Sequence, residues 1–305
     1  MQKKIIVTIV IIILLLGIIL GILGYRILYS NNISPQASSF IYIPTSSSFD
    51  DVMDILKKEN ILEKEKTFRW VAKQKNYIQH VKGGRYRIKE GMNNNELVNM
   101  LRSGRQEAVN FTFNNIRTKE QFAQRVSEQL EMDYDNLLSF LKNEKKLKSY
   151  NINVETVLTI FIPNTYQLWW NTSVDDFVER MYKEYQKFWT ESRLEKAKNI
   201  ELSPTEIIIL ASIVEEENHR TDEQPRIAGV YINRLKKNMP LQADPTVKFA
   251  LQDFGRKRIL KKDLEIDSPY NTYKYTGLPP GPIRIPSSTC VDAVLNYEKH
   301  NYIYM

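Results

Sequence analysis

The stretch Ser203–Asn218, SPTEIIILASIVEEEN, carries a nearly apolar helix straight into three consecutive carboxylates. Ser203 and Glu206 stand as S-x-x-E, a capping box, and Pro204 falls at the first helical position, where its missing N–H is not needed. Residues 207–211 and 213–214 are apolar almost all round, the pattern of a buried helix rather than a surface one. Glu215, Glu216 and Glu217 follow within one turn. A carboxylate at the edge of a core loses water on one side, which favours its protonated form and suits it to act as a general acid. A solvated helix end is the plainer reading, but three negative charges at a helix C-terminus oppose the macrodipole. At ~100° per residue, Glu216 is expected to point away from the mean apolar direction, towards solvent. Glu217 lies closest to that direction and Glu215 on its flank, so periodicity leaves both open.

The chain has 305 residues, 42% hydrophobic and 26% charged, which is globular and long enough for one large or two modest domains. Its net charge of +7 suits a nucleic acid, an anionic membrane surface or an acidic polymer alike. The single cysteine, Cys290, excludes an intrachain disulfide, and His80, His219 and His300 fall in no metal-ligand spacing. No metal or cofactor is expected.

Ile5 to Gly24 is a 20-residue run without a charge, enough at ~1.5 Å per residue to cross a ~30 Å hydrocarbon core. Tyr25, Arg26 and Tyr29 follow in place of a small-x-small cleavage site, so the run reads as an uncleaved anchor. Lys3, Lys4 and the terminal amine outweigh Arg26 and place the N-terminus in the cytoplasm, with the rest of the chain outside it. Nucleic acid is therefore not an expected partner.

The expected division is a cytoplasmic end at 1–4, an anchor at 5–28, a polar linker at 29–39, a small βααβ module at 40–107 and a larger α+β domain at 108–305. In the small module, Phe40 to Ile43 and Arg85 to Ile88 are the expected strands, Ser48 a cap, and Gly104 a helix stop. Its size fits a binding or spacing role. Beyond it, Val109 to Phe113 alternates like a strand. The lysine-rich Lys142 to Lys148 reads as a solvated face, and a core-facing stripe runs from Phe177 to Phe188. FIPNTYQLWW, Phe161 to Trp170, is aromatic enough either to line a saccharide groove or to fill a core. Thr221 to Gln224 reads as a further cap. MPLQADPTV at 239–247 reads as a rigid, non-helical stretch presenting Gln242 and Asp244. YNTY at 270–273 and GLPPGPI at 277–283 form a second irregular region. Rigid loops bearing Gln, Asp, Asn and Tyr beside a buried helix end are how a polar ligand is held in register.

ASIVEEE at 211–217, YINRL at 231–235, MPLQADPTV, YNTY and GLPPGPI, in this order and spacing, resemble the successive signatures of the YceG-like (MltG) family of endolytic murein transglycosylases. The resemblance runs from the anchor to the last residue. It implies a single-pass protein of the cytoplasmic membrane with its catalytic domain on the outer (periplasmic) side. The small module would be LysM-like, and the activity would cut peptidoglycan glycan strands internally to leave 1,6-anhydro-N-acetylmuramic acid ends. It places the catalytic acid at Glu215. Substrate contacts fall to Glu217, Gln242, Asp244, Asn271, Tyr273 and Tyr166, with peptidoglycan synthases as expected partners. Two other readings stand beside it: a glycoside hydrolase using Glu215 with Asp244 as base, and a peptidoglycan-binding scaffold with an inactive site. The family continues past the point where this sequence stops, at Tyr302-Ile303-Tyr304-Met305, so a shortened C-terminal end is expected.

Overall fold

The structure, a computed structural model, describes residues 2–304, and side chains from Lys4 onward. The terminal amine and the Lys3 side chain, part of the orientation argument, lie outside the described residues, as does Met305. The chain divides into two compact units: Met1–Val109 with Gln167–Asn171, and Asn110–Tyr166 with Thr172–Met305.

The first unit opens with α1 (Gln2–Tyr29). Lys4–Tyr29 is long and apolar enough to cross a membrane, and the side chains from Ile5 to Leu23 are exposed. After it come β1 (Phe40–Ile43), α2 (Phe49–Lys58), α3 (Glu65–Gln74), β2 (Gly84–Arg87) and α4 (Asn94–Ser103). Ser48 and Asp51 close a capping box on α2, and Gly104 ends α4 at φ +73°, a left-handed conformation open to glycine at little cost. β1 and β2 pair antiparallel with Ile41 opposite Tyr86. Period-2 alternation sends Ile41 and Ile43 inward onto Leu56, Phe68 and Leu97.

Within the stretch expected as a linker, Asn32 and Ile33 are buried against this core, while most of its other residues are exposed or half-buried. Ile27, Leu28 and Ile33 pack against the core. The buried Asn32 side chain donates to Asn94 Oδ1 (2.7 Å) and Lys64 O (3.1 Å) and accepts from Lys64 N (2.8 Å). Asn94 in turn donates to Ile27 O (2.9 Å) at the end of α1. Polar composition suggested solvent, but amides whose partners are all supplied by protein are stable inside.

The second unit holds most of β3 (Val109–Thr112) and the start of β4 (Thr165–Leu168), which pair with one another. Its helices are α5 (Lys119–Ser127), α6 (Tyr134–Leu141), α7 (Glu144–Leu147), α8 (Val174–Phe188), α9 (Glu191–Ile200), α10 (Pro204–Glu217), α11 (Gln224–Lys236), α12 (Asp244–Leu251) and α13 (Ser288–Leu295). The lysine stretch is solvated as expected, its lysines exposed on and beside α7, with Leu147 alone buried. Two local expectations give way. α11 starts at Gln224 after Glu223, without a side-chain cap from Thr221. The stretch 239–247 is irregular only as far as Ala243, because Pro245 pre-sets the first turn of α12. α9 and α13 were not anticipated.

α10 begins as its sequence dictates: Glu206 N donates to Ser203 Oγ (3.3 Å) and Ser203 N to Glu206 Oε2 (2.8 Å). It packs against α9, α11, α12 and α13, which is why Ile207 through Val214 are all buried. With neighbours on every side, the helix needs no polar face.

Candidate active site

The three glutamates at the end of α10 meet three different environments. Glu215 is buried; its carboxylate accepts from Ser287 N (3.1 and 3.3 Å) and lies 3.2 Å from Arg284 Nε. That last contact is an ion pair whose angle is too poor for a hydrogen bond, so Arg284 Nε has no hydrogen-bond acceptor. Glu216 does not face solvent as its helical angle suggested. Arg117 grips it through Nε (3.0 Å) and Nη2 (2.8 Å), and Arg284 Nη1 donates to it at 2.9 Å. Two guanidinium groups thus neutralise two carboxylates at the negative end of a buried helix. Arg117 is brought there by the segment before α5, where Ile116 O accepts from Ile285 N (2.7 Å).

Glu217 is different. Among the described residues no Lys or Arg pairs with it; its one hydrogen-bond partner is Tyr231 on α11, whose hydroxyl lies 3.5 Å from Oε2. Although the residue is exposed, its carboxylate sits down in a concavity where protein displaces much of the water. Desolvation, followed by the negative charge of Asp244, raises its pKa, while the Tyr231 hydroxyl and Lys248 oppose the shift. The environment of the head group, rather than the exposure of the whole residue, governs its proton affinity. The cavity beside it, about 580 Å³, is lined by Glu217, Asn218, Ile227, Val230, Tyr302 and Tyr304, with Glu223 and Arg226 at its edge.

The helical wheel placed Glu217 most inward, and the structure reverses this order. An encircled helix has no well-defined apolar direction, and depth at its end is set by where the core stops. Asn218, extended at φ −150°, ends the helix and turns the chain away.

The loops expected around the glutamates divide into presenting and supporting residues. Asp244 is exposed at the start of α12 and accepts from Tyr273 Oη (2.6 Å). Burial and the Asp244 charge push the Tyr273 hydroxyl well above its ordinary range, so it stays a donor. Gln242 is exposed, with φ +52°, its backbone N–H donating to Thr272 O (3.0 Å) and its side-chain oxygen 3.4 Å from Arg234 Nη1. Asp244 and Tyr273 lie close enough to Glu217 for their charges to interact, whereas the contacts of Gln242 are with Thr272 and Arg234. Asn271 does not offer its amide to a ligand: fully buried, it donates to Leu264 O and Ile266 O (both 2.8 Å) and accepts from Tyr273 N (3.1 Å). It builds the loop that carries Tyr273.

Tyr166 is likewise a core residue, 5% exposed, stacked on Phe113 and donating to Ile162 O. Burial pushes its hydroxyl up to about 12. Phe161 packs on Phe122 in the second unit, whereas Trp170 belongs to the first, edge-on to Tyr42. Phe161 and Tyr166 therefore fill a core, while Trp169 is exposed. GLPPGPI earns its rigidity by fixing α10 in place, since Ile283 N donates to Ser212 Oγ (3.1 Å).

Sequence reasoning missed Arg117, Arg284, Ser287 and Tyr231. Arg117 lies 99 residues from Glu216, and no local pattern announces such a pair. Tyr231 sits within YINRL, where an apolar-facing tyrosine was the available hint, because a buried hydroxyl needs a partner.

The sequence profile of the YceG-like family matches residues 41–305. The chain is 33% identical over 285 residues to an endolytic murein transglycosylase of Bacillus subtilis (strain 168), covering 87% of this chain and 77% of that protein. It is 28% identical over 319 residues to the endolytic murein transglycosylase of Streptococcus pneumoniae serotype 2 (strain D39), covering 93% of this chain but only 57% of that longer protein. Among solved structures it resembles a yceG-like protein from Listeria monocytogenes, with TM-score 0.58 and 28% identity, over 87% of this chain and 92% of that one. With its single N-terminal apolar helix and its mixed helices and strands, the chain belongs to the YceG-like family.

Proposed function

We propose that this chain is a lytic transglycosylase that cuts the glycan strands of peptidoglycan between N-acetylmuramic acid and N-acetylglucosamine, with Glu217 as its acid and base. The observation that carries the assignment is the contrast at the end of α10. Glu215 and Glu216 are held by guanidinium groups, whereas Glu217 lies at a cavity with its proton affinity raised by desolvation and by Asp244. A general acid must hold its proton near the working pH and reach the substrate. Glu217 has its proton affinity raised and opens on a cavity, the two features such an acid needs, and Glu215, against Arg284 and the Ser287 amide, is better suited to hold the helix end.

One carboxyl group suffices for this reaction. Protonated Glu217 gives its proton to the glycosidic oxygen. The resulting carboxylate takes the proton of the C6 hydroxyl of N-acetylmuramic acid, whose oxygen closes onto C1 to form the 1,6-anhydro ring. The nucleophile belongs to the substrate, so the fixed pair of carboxylates required by ordinary glycosidases is not needed. Gln242 and the Tyr273 hydroxyl, the latter bonded to Asp244, would stabilise the oxocarbenium-like transition state and orient the strand.

The rest of the chain fits a membrane-attached enzyme. α1 would cross the cytoplasmic membrane once, N-terminus inside, and the buried Asn32–Asn94 network joins its end firmly to the first unit. That unit, with its β1-α2-α3-β2 order, is proposed as the LysM-like module. Its own concavity of about 600 Å³, lined by Arg87, Lys89, Met92 and Gln106 among others, would hold glycan weakly. New strands would be met outside the cytoplasm, beside the synthases that make them.

Mass spectrometry of digested sacculi tests the reaction class. Anhydro ends lighter by one water than reducing ends, and unlabelled when the digest is run in ¹⁸O water, are the expected products. Labelled reducing ends would establish a hydrolase and make Asp244 the base. No cleavage at all would favour a binding scaffold.

A further inference from the structure

Within the first unit, the end of α1 and the start of α3 enclose a cavity of about 410 Å³, with Leu23, Arg26, Ile27, Ser30, Lys64 and Thr67 on its walls. Its frame is fixed by buried amides and main chain. Lys64 N donates to Asn32 Oδ1 (2.8 Å), and Lys64 O accepts from Asn32 Nδ2 (3.1 Å) and Thr67 Oγ1 (2.8 Å). Asn94 Nδ2 reaches both Thr67 Oγ1 (3.0 Å) and Ile27 O (2.9 Å). Ser30 N donates to Arg26 O (3.1 Å), which closes the last turn of α1. The backbones that carry Arg26 and Lys64 are thereby held in one place relative to each other.

The charge of this cavity is one-sided. No carboxylate lines it, whereas each of the two cavities described above carries at least two glutamates. Glu63 and Glu65, beside Lys64 in the chain, are not on its wall. Among the described residues no acid pairs with the Arg26 or Lys64 head group, and neither has a hydrogen-bond acceptor. With Ile5 to Gly24 filling the hydrocarbon core, Arg26 lies ~3 Å beyond its edge, at the depth of lipid phosphates, while Leu23 is still level with the acyl chains. In the orientation proposed above, Arg26 is a cation on the flank that the positive-inside bias leaves poor in them. A guanidinium fork and an ammonium are the two side-chain groups that hold phosphate, and an apolar wall below them suits a chain.

We propose that this cavity binds one anionic phospholipid of the leaflet at the end of α1, its phosphate between Arg26 and Lys64 and an acyl chain along Leu23. A zwitterionic lipid brings its own ammonium to its phosphate, so the site selects for net negative charge. The bound lipid ties the start of α3 to the bilayer surface and holds the first unit at a fixed height above it. The proposal rests on the reading of α1 as a membrane-crossing helix and is independent of which glutamate is the acid.

The test uses the full chain in a neutral detergent, titrated with phosphatidylglycerol or with phosphatidylcholine of the same acyl chains, and counts bound lipids by native mass spectrometry. The first phosphatidylglycerol should bind about tenfold more tightly than the first phosphatidylcholine, and Arg26→Gln/Lys64→Gln should remove that preference. Both side chains are exposed, so the double variant should keep the wild-type melting temperature. Arg26→Lys/Lys64→Arg, which keeps both charges, should retain most of the preference. Lys57→Gln/Lys58→Gln removes as much charge from exposed positions on α2 and should leave it unchanged. A preference absent from wild type, or surviving in Arg26→Gln/Lys64→Gln, would overturn the proposal. Displacement of the lipid by millimolar inorganic phosphate would make this a site for the free anion and overturn it too. The intact mass of the chain recovered from membranes reports on the anchor separately. Loss of the residues before about 26 would defeat the anchor reading and the site together, whereas a full-length chain without the preference defeats the site alone.

Discussion

Glu217→Gln is expected to lower turnover by ~10² to 10⁴, the usual cost of losing general acid–base catalysis, without lowering stability near neutral pH. Glutamine keeps the shape and removes the transferable proton. The stability expectation follows from the direction of the pKa shift. A carboxyl whose pKa is raised on folding binds its proton more tightly in the folded state, so its contribution to stability is lost as pH rises through the folded value. A residue that never ionises escapes that loss, and the variant should melt no lower than wild type at pH 7. Glu215→Gln should behave in the opposite sense: it weakens the partner of a buried arginine, so the melting temperature drops, and the surviving folded protein retains turnover. Turnover assays paired with thermal melts on both variants check this. An inactive but stable Glu215→Gln beside an active Glu217→Gln would return the acid to Glu215.

Arg284→Ala should be the most destabilising single change near the site. Arg284 is 8% exposed and reaches Glu215 and Glu216 at once. Without it, two carboxylates remain at the negative end of a buried helix, with Arg117 able to serve only Glu216. Removing one partner of a buried pair typically costs about 3–5 kcal/mol, because the charge left behind has neither water nor counterion. Denaturant unfolding should show a loss in this range. Arg284→Lys should recover only part of it, since a single ammonium cannot reproduce a fork that serves two carboxylates. A loss below about 1 kcal/mol, the size of an exposed pair, would mean that the arginine is not the clamp described above.

How far the site was legible in the sequence depended on how local its physics is. The start of α10 was readable because a capping box and a first-turn proline act within four residues, and the cap at Ser48 was readable for the same reason. The buried character of α10 was legible too, since eight consecutive residues without a polar face admit few other placements. What a carboxylate meets is not local. Glu215, Glu216 and Glu217 are chemically identical and adjacent, and what separates them comes from Arg117, Arg284, Ser287, Tyr231 and Asp244, none of them on α10. Asn271 and Tyr166 illustrate the converse error. Both looked like ligand contacts because they are polar or aromatic residues in irregular, proline-rich surroundings, yet each spends its polar group on nearby backbone. Within 30–39 composition misled only at Asn32 and its neighbour Ile33, for Asn32 is buried where Asn94 and Lys64 satisfy its amide.

The central claim, that Glu217 carries the transferable proton, is tested most directly by the pH dependence of kcat/KM in wild type beside Asp244→Asn. In the free enzyme the acid must be protonated, so kcat/KM should fall as pH rises through the Glu217 pKa, and this alkaline limb should lie above the ordinary glutamate range. Asp244→Asn removes the neighbouring negative charge that favours the protonated form, and the account predicts that the limb moves to lower pH. A limb that stays in place or moves upward in Asp244→Asn would contradict it.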